Sequence, residues 1–173
     1  MQYLTHYQSP IGQLTLTSNG SALTGVWHAN QQDFANQFND IFEESDLLVF
    51  AKARAWLDAY FKGERPEIDF ELNPQGSEFR QQVWHYLRQI PYGKTVTYSE
   101  IAKDIARLRG KQKMAAQAIG GAVGSNPISL IVPCHRVVGK NGNLTGYGGG
   151  LDVKMQLLEL EGVDLGDFYL PTD

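Results

Sequence analysis

Over the first thirty residues apolar and polar positions alternate in short runs, the period of half-buried strands. Tyr3 to Gln8, Gln13 to Thr17 and Ala22 to His28 each read as a strand, and Asn19 with Gly20 supplies the turn before the third. The period then lengthens. From about Leu48 to Phe61 apolar residues recur at helical spacing, with Ala51, Ala55, Tyr60 and neighbouring apolar residues on one side and Gly63 placed to end the helix. Residues 65 to 76 hold Pro66, Pro74 and Gly76 around a short apolar strand.

The second half has a different rhythm. Ser77 is placed to cap a helix in which Phe79, Val83, Leu87 and Ile90 keep helical spacing until Pro91, Tyr92 and Gly93 stop it. Lys94 to Thr97 reads as a short strand, and Thr97 with Glu100 forms a capping box for a helix over Ser99 to Arg107. A basic connector, Leu108 to Lys113, leads into a second short helix, about Met114 to Val123, and the pair suggests a helix-turn-helix. A glycine-rich loop, Gly139 to Gly150, precedes a helix from Leu151 to about Leu160 with Leu151, Met155 and Leu158 facing inward. That loop lacks the GK[ST] ending of a phosphate-binding loop, which excludes nucleoside triphosphate binding of that kind.

Charge divides the chain in the same place as rhythm does. The 173 residues carry a net charge of −4, but residues 1 to 75 hold 4 Lys or Arg against 10 Asp or Glu, residues 76 to 150 hold 10 against 3, and residues 151 to 173 hold 1 against 6. The boundary is therefore set at 75/76, with an N-terminal structural domain over 1–75 and a functional domain over 76–173. The basic middle suits a polyanion; solvated helix faces paired with the acidic ends would read the same way. Residues 1 to 32 have no charged side chain, yet they lack the basic flank and apolar run of a signal peptide. The uncharged stretch Met114 to Pro133 is interrupted by Gln117, Ser125, Asn126, Pro127 and Ser129, so no membrane span is expected. In the helix over 114–123, Ala115, Ala116, Ala118, Gly120, Gly121 and Ala122 are small, and each helical glycine costs about 1 kcal/mol relative to alanine. Such a helix allows close approach, either of a nucleic-acid groove or of a neighbouring helix.

The single cysteine, Cys134, sits in Ile131, Val132, Pro133, Cys134, His135, Arg136, Val137. One cysteine excludes an internal disulfide and any cysteine-cluster zinc site. A thiol beside an imidazole can be an activated nucleophile; between β-branched residues it can equally be a buried structural side chain.

The run Asn126–Pro127, then Pro133 to Val137, then Tyr147, Gly148, Gly149, Gly150 and Leu151, and finally Leu160, Glu161 and Gly162 resembles the O6-alkylguanine-DNA alkyltransferases. The likeness covers about residues 77 to 162, and Ser9 to Gly12 is similar to the family's N-terminal domain. It implies an α/β fold: an N-terminal ribonuclease-H-like, strand-rich domain followed by a mainly helical C-terminal domain with a winged helix-turn-helix. It also implies repair of double-stranded DNA containing O6-alkylguanine, by irreversible, stoichiometric transfer of the alkyl group to Cys134 after base flipping. O4-alkylthymine is left open as a second substrate.

By the same resemblance Cys134 is the nucleophile, His135 the base acting through a water, Glu161 the carboxylate that orients the imidazole, and Asn126 the organiser of the turn. Tyr98, Val137, Tyr147 and Gly148 would hold the extruded guanine, while Tyr98, Ala116, Gln117 and Ala118 would meet DNA along a recognition helix in the minor groove. Arg136 reads as structural. Gln117 stands where the family commonly places an arginine that fills the gap left by the flipped base, so slower flipping is expected. No metal or cofactor is implied, and the protein is expected to act as a cytoplasmic monomer away from membranes. The alternatives are a non-catalytic alkylated-DNA recognition protein, against which Cys134 argues, a cysteine hydrolase, and a helix-turn-helix regulator.

Overall fold

The structure is a computed structural model, and it describes residues 2–31 and 42–170. The chain separates into two compact units, one of residues 1–75 with 127–131, the other of residues 76–126 with 132–173.

The first unit is a four-stranded sheet with one helix. Strands β1 (Gln2–Ser9), β2 (Gly12–Ser18), β3 (Leu23–Trp27) and β4 (Phe42–Glu44) lie in the order β3-β2-β1-β4. The first three are antiparallel and β4 runs parallel to β1. Asn19 shapes the expected turn, its Oδ1 accepting from the amides of Ser21 and Ala22. Leu14, Leu16, Leu23 and Val26 form the buried face, against which α1 (Leu48–Phe61) sets Phe50, Ala53, Trp56, Leu57 and Tyr60. This corrects the single face read from sequence: Ala51 and Ala55 are exposed. Larger side chains gain more from burial, and they decide which way the helix turns. Two further expectations change. The apolar piece within 65–76 is only a single bridge, Leu72 to Leu23. Strand β4 had no signal, being three residues long and mostly acidic. The segment 127–131 extends the sheet edge, with Val26 N donating to Pro127 O at 2.9 Å and Ser129 N to Val26 O at 3.2 Å.

In the second unit α2 (Glu78–Leu87), α3 (Tyr98–Leu108) and α4 (Ala116–Gly124) pack around Val83, Trp84, Leu87, Ile101, Ile105, Ile119 and Val123. The expected caps are in place: Ser77 Oγ accepts from Arg80 N and Thr97 Oγ1 from Glu100 N. Between the helices, β5 (Val96–Thr97) pairs in parallel with β6 (Val137–Val138), and α5 (Leu151–Leu160) closes the unit on a cluster of Val138, Leu144 and Leu158. Leu151 and Met155 pack on that cluster from the partly buried side.

Helix α4 begins two residues later than the spacing predicts. Its small residues fall into two sets. Trp84 Nε1 donates to Ala122 O at 2.8 Å, so helix packing accounts for a small side chain at 122. It does not account for Gly121 or Gly124, where an added Cβ would meet nothing within 4 Å; at Gly120 it would meet only the Tyr98 ring, at 3.9 Å. That face is open.

Candidate active site

The Cys134 centre is built where three short elements meet within the second unit. Cys134, His135 and Arg136 form one 3-10 turn that runs directly into β6. Pairing of β6 with β5 sets Val137 beside Val96, and β5 in turn leads into Tyr98, the first residue of α3. Asn126 follows the end of α4, and its Nδ2 donates to Val132 O at 2.8 Å, the same carbonyl that accepts from Cys134 N at 2.8 Å. One side-chain amide thus ties the end of α4 to the cysteine turn.

Glu161 is delivered by the end of α5. Gly162 adopts φ +85°, and Gly162 N and Val163 N return to Glu159 O and Leu158 O, closing a Schellman turn that fixes Glu161 as the C-cap of the helix. Its carboxylate is buried and receives four donors: His135 Nε2 at 2.6 Å, Arg136 Nε at 2.8 Å and Nη2 at 3.1 Å, and Gly93 N at 3.0 Å. Arg136 also donates through Nη1 to Ile90 O at 2.7 Å, and its guanidinium lies over the Tyr92 ring. Burial pushes the Glu161 carboxyl upward, but His135 and Arg136 together hold it well below the ordinary carboxylate range. Glu161 is therefore an acceptor, and Nε2 of His135 carries the proton between them. Burial lowers the His135 pKa, opposed by Glu161. A neutral imidazole protonated on Nε2 has its lone pair on Nδ1, the form a general base requires.

Cys134 is 8% exposed. Burial pushes its thiol above the ordinary value, while the Asn126 hydrogen bond, the Lys154 charge and its own backbone amide pull the other way. The desolvation of the sulfur outweighs its partners, which favours the neutral thiol in the folded protein. Activation then has to accompany the reaction.

Lys154 is the residue that sequence reasoning missed. It lies one turn along α5 from Leu151, it is wholly buried, and its Nζ donates to Val137 O at 2.6 Å, with Thr145 Oγ1 and Gly146 O each at 3.4 Å. Burial lowers its pKa to about 8, a shift that a thiolate at Cys134 opposes. A lysine at an inward position of an amphipathic helix was the available signal. Thr145 is the second omission: it sits at φ +57°, unusual for a β-branched residue, and its Oγ1 lies 3.2 Å from Tyr98 Oη. Nothing in its local sequence marks it.

The structure thus gathers Cys134, His135, Asn126, Glu161, Tyr98 and Val137, with the Tyr147 ring edge-on to His135 at 6.5 Å. Gly148 is exposed on the loop before α5. Ala116, Gln117 and Ala118 are exposed on α4, apart from this cluster. Among the described residues no three His, Cys, Asp or Glu side chains come together as metal ligands, and no helix is long and apolar enough to cross a membrane.

Both units match known family models. Residues 2–74 match the ribonuclease-like domain, and residues 78–163 the DNA binding domain, of 6-O-methylguanine DNA methyltransferase. The chain is 43% identical over 160 residues to the methylated-DNA--protein-cysteine methyltransferase of Haemophilus influenzae, covering 92% of this chain and 86% of that protein. It is 44% identical to the Methanosarcina acetivorans protein of the same name, covering 92% and 98%. Among solved structures, Mycobacterium tuberculosis OGT in complex with DNA superposes with a TM-score of 0.80 at 45% identity, over 92% of each chain. The expected fold, an α/β ribonuclease-like domain followed by a mainly helical DNA-binding domain, agrees with these matches.

Proposed function

The chain belongs to the 6-O-methylguanine DNA methyltransferase family, and from that membership we propose how its own residues repair DNA by moving an alkyl group from guanine O6 to Cys134. The observation that carries the reading is the buried His135–Glu161 contact at 2.6 Å beside the chain's single cysteine.

The substrate is duplex DNA with an O6-alkylguanine turned out of the stack, an extrusion that costs a few kcal/mol and least for a weakened pair. Cys134 Sγ forms a bond to the alkyl carbon as the bond from that carbon to O6 breaks. The thiol proton passes to His135 through a water, and the imidazolium formed is stabilised by Glu161. The electron pair of the broken bond stays on the base, which takes up one proton and leaves as guanine. Backbone groups at Cys134, Val137 and Gly148 and the wall of Tyr147 hold the ring, and Tyr98 crowds the phosphate and bonds the base. Lys154 helps in two ways: its charge favours the thiolate as it forms, and its bond to Val137 O fixes a carbonyl the base would meet. The thioether product has no proton to lose and no leaving group, so one molecule acts once.

Residues 76–173 are assigned DNA binding and transfer, and residues 1–75 support. A lone thiol that must stay reduced and a DNA substrate place the reaction in the cytoplasm. The test is intact mass and peptide mapping after incubation with a duplex carrying one O6-methylguanine. One methyl group on the Cys134 peptide, absent in Cys134→Ala, is the expected result. Lesion-selective binding without mass gain would favour the damage-recognition alternative.

A further inference from the structure

Thr145 holds a conformation that its residue type resists. Its φ of +57° lies in the left-handed region, which β-branched side chains rarely enter. Strain of this kind persists only where the surroundings hold it, most often beside a functional site. Here the surroundings can be named. Thr145 N donates to Asn143 Oδ1 at 3.1 Å, and a Cβ added at Gly139 would come within 2.7 Å of the Thr145 methyl carbon, so glycine at 139 makes the room that this methyl takes. With backbone and methyl both seated, the rotamer is set and the hydroxyl faces Tyr98 Oη, 3.2 Å away.

The direction of that bond follows from the protons available. The single hydroxyl proton of Thr145 goes to Leu144 O at 2.6 Å, and Lys154 Nζ, 3.4 Å from the same oxygen, is a donor with nothing to accept by. Thr145 Oγ1 therefore receives from Tyr98, and the Tyr98 hydroxyl is turned toward the loop. Helix α4 does not clamp the ring: there is room for a further Cβ at Gly120, 3.9 Å from the ring edge. We propose that Thr145 is the positioning residue of Tyr98, holding its hydroxyl in one place in the free protein so that the extruded guanine meets a ring already set, and that the strained threonine is kept for this bond. Lys154 shares the oxygen and so ties the placement of Tyr98 to α5. The proposal rests on the alkyl-transfer reading, which by itself gives Thr145 no part.

The test is a double-mutant cycle on the full chain, read by mass as single-turnover methyl uptake from a duplex with one O6-methylguanine, below saturation. Thr145→Val keeps the branched shape and removes the hydroxyl; Tyr98→Phe keeps the ring and removes its partner. Loss of one neutral hydrogen bond should slow uptake by about 3- to 10-fold in the wild-type background. The same substitution in Tyr98→Phe should change the rate by less than about 2-fold, whereas a merely structural threonine would slow both backgrounds equally. Thr145→Ser retains the hydroxyl and should stay within about 2-fold of wild type. Thr145→Ala, free of the crowding of a branched side chain at this φ, takes the place of the valine variant if that one does not melt as the wild type does. Equal slowing in both backgrounds, slowing in neither, or a slow Thr145→Ser overturns the positioning role, while methyl uptake by the wild type leaves the function standing. Absence of uptake by the wild type overturns the function, and the positioning role with it.

Discussion

Lys154 Nζ lies 2.6 Å from the carbonyl oxygen of Val137 with its whole side chain out of water. A buried ammonium is costly unless its charge is used. Here the charge favours the anionic form of the thiol that must become an anion during the reaction. Lys154→Met keeps the length and removes the charge. A hydrogen bond to a charged group contributes about 1.5 to 3 kcal/mol, so single-turnover methyl transfer should slow by about 10- to 100-fold. Rapid-quench measurement at saturating duplex reads it, and a wild-type rate would leave Lys154 without a part in the chemistry.

The same lysine makes stability depend on pH. Its pKa falls from 10.5 to about 8 on folding. Below pH 8 both states hold the proton; between 8 and 10.5 only the unfolded chain does. Stability contributed by this group therefore rises with pH across that window and levels off above it, by about 3 kcal/mol. Urea denaturation of wild type and Lys154→Met at pH 8 and pH 10.5 should show this gain in the wild type alone.

Glu161 gives the opposite dependence. Its folded pKa is depressed below the ordinary 4.5, so its contribution is full above that value and is lost as pH falls below it. Glu161→Gln leaves the buried guanidinium of Arg136 without its counter-charge, which should cost about 3 to 5 kcal/mol at pH 7. The gap between wild type and variant should narrow below pH 4.5, as followed by denaturant midpoints.

The burial that lowers the His135 pKa fixes where acid stops the reaction. The imidazole stays neutral below the usual 6.5, so the acid limb of the transfer rate lies beneath that value. Single-turnover rates between pH 5 and 8 locate it. A half-point at or above 6.5 would remove His135 as the titrating base.

Gln117 is exposed on α4 beside the open glycine face. An arginine there adds a charge and a stacking plane to fill the space left by the extruded base. Gln117→Arg should raise the single-turnover rate on lesion duplex by a few-fold to about tenfold. An unchanged or lower rate would show that flipping does not depend on this position.

Much of this molecule is legible in its residues, and the exceptions have physical causes. Period-two and helical patterns mark β1, β2, β3 and every α-helix, and Ser77 and Thr97 mark two helix starts. The separated motifs around Cys134 mark the centre because adjacent residues share one turn. Strand β4 escapes because three residues carry no period, and its pairing with β1 comes from tertiary contact. Ala51 and Ala55 mislead because an apolar label does not say which apolar residue gains most from burial. Lys154 escapes because lysine is so seldom buried, and Thr145 because backbone strain leaves no mark in a side-chain pattern.

Lys154 and Glu161 stand seven residues apart on α5, about 10 Å along one rigid rod. The helix therefore carries a cation and an anion into the same centre as a single strut, and neither can move without the other. What seats the strut is Leu158 against Val138 and Leu144. Trimming Leu158 to alanine should register in the rate of methyl transfer as well as in the melting curve, because the hydrophobic seat and the charge balance at sulfur are mechanically one part.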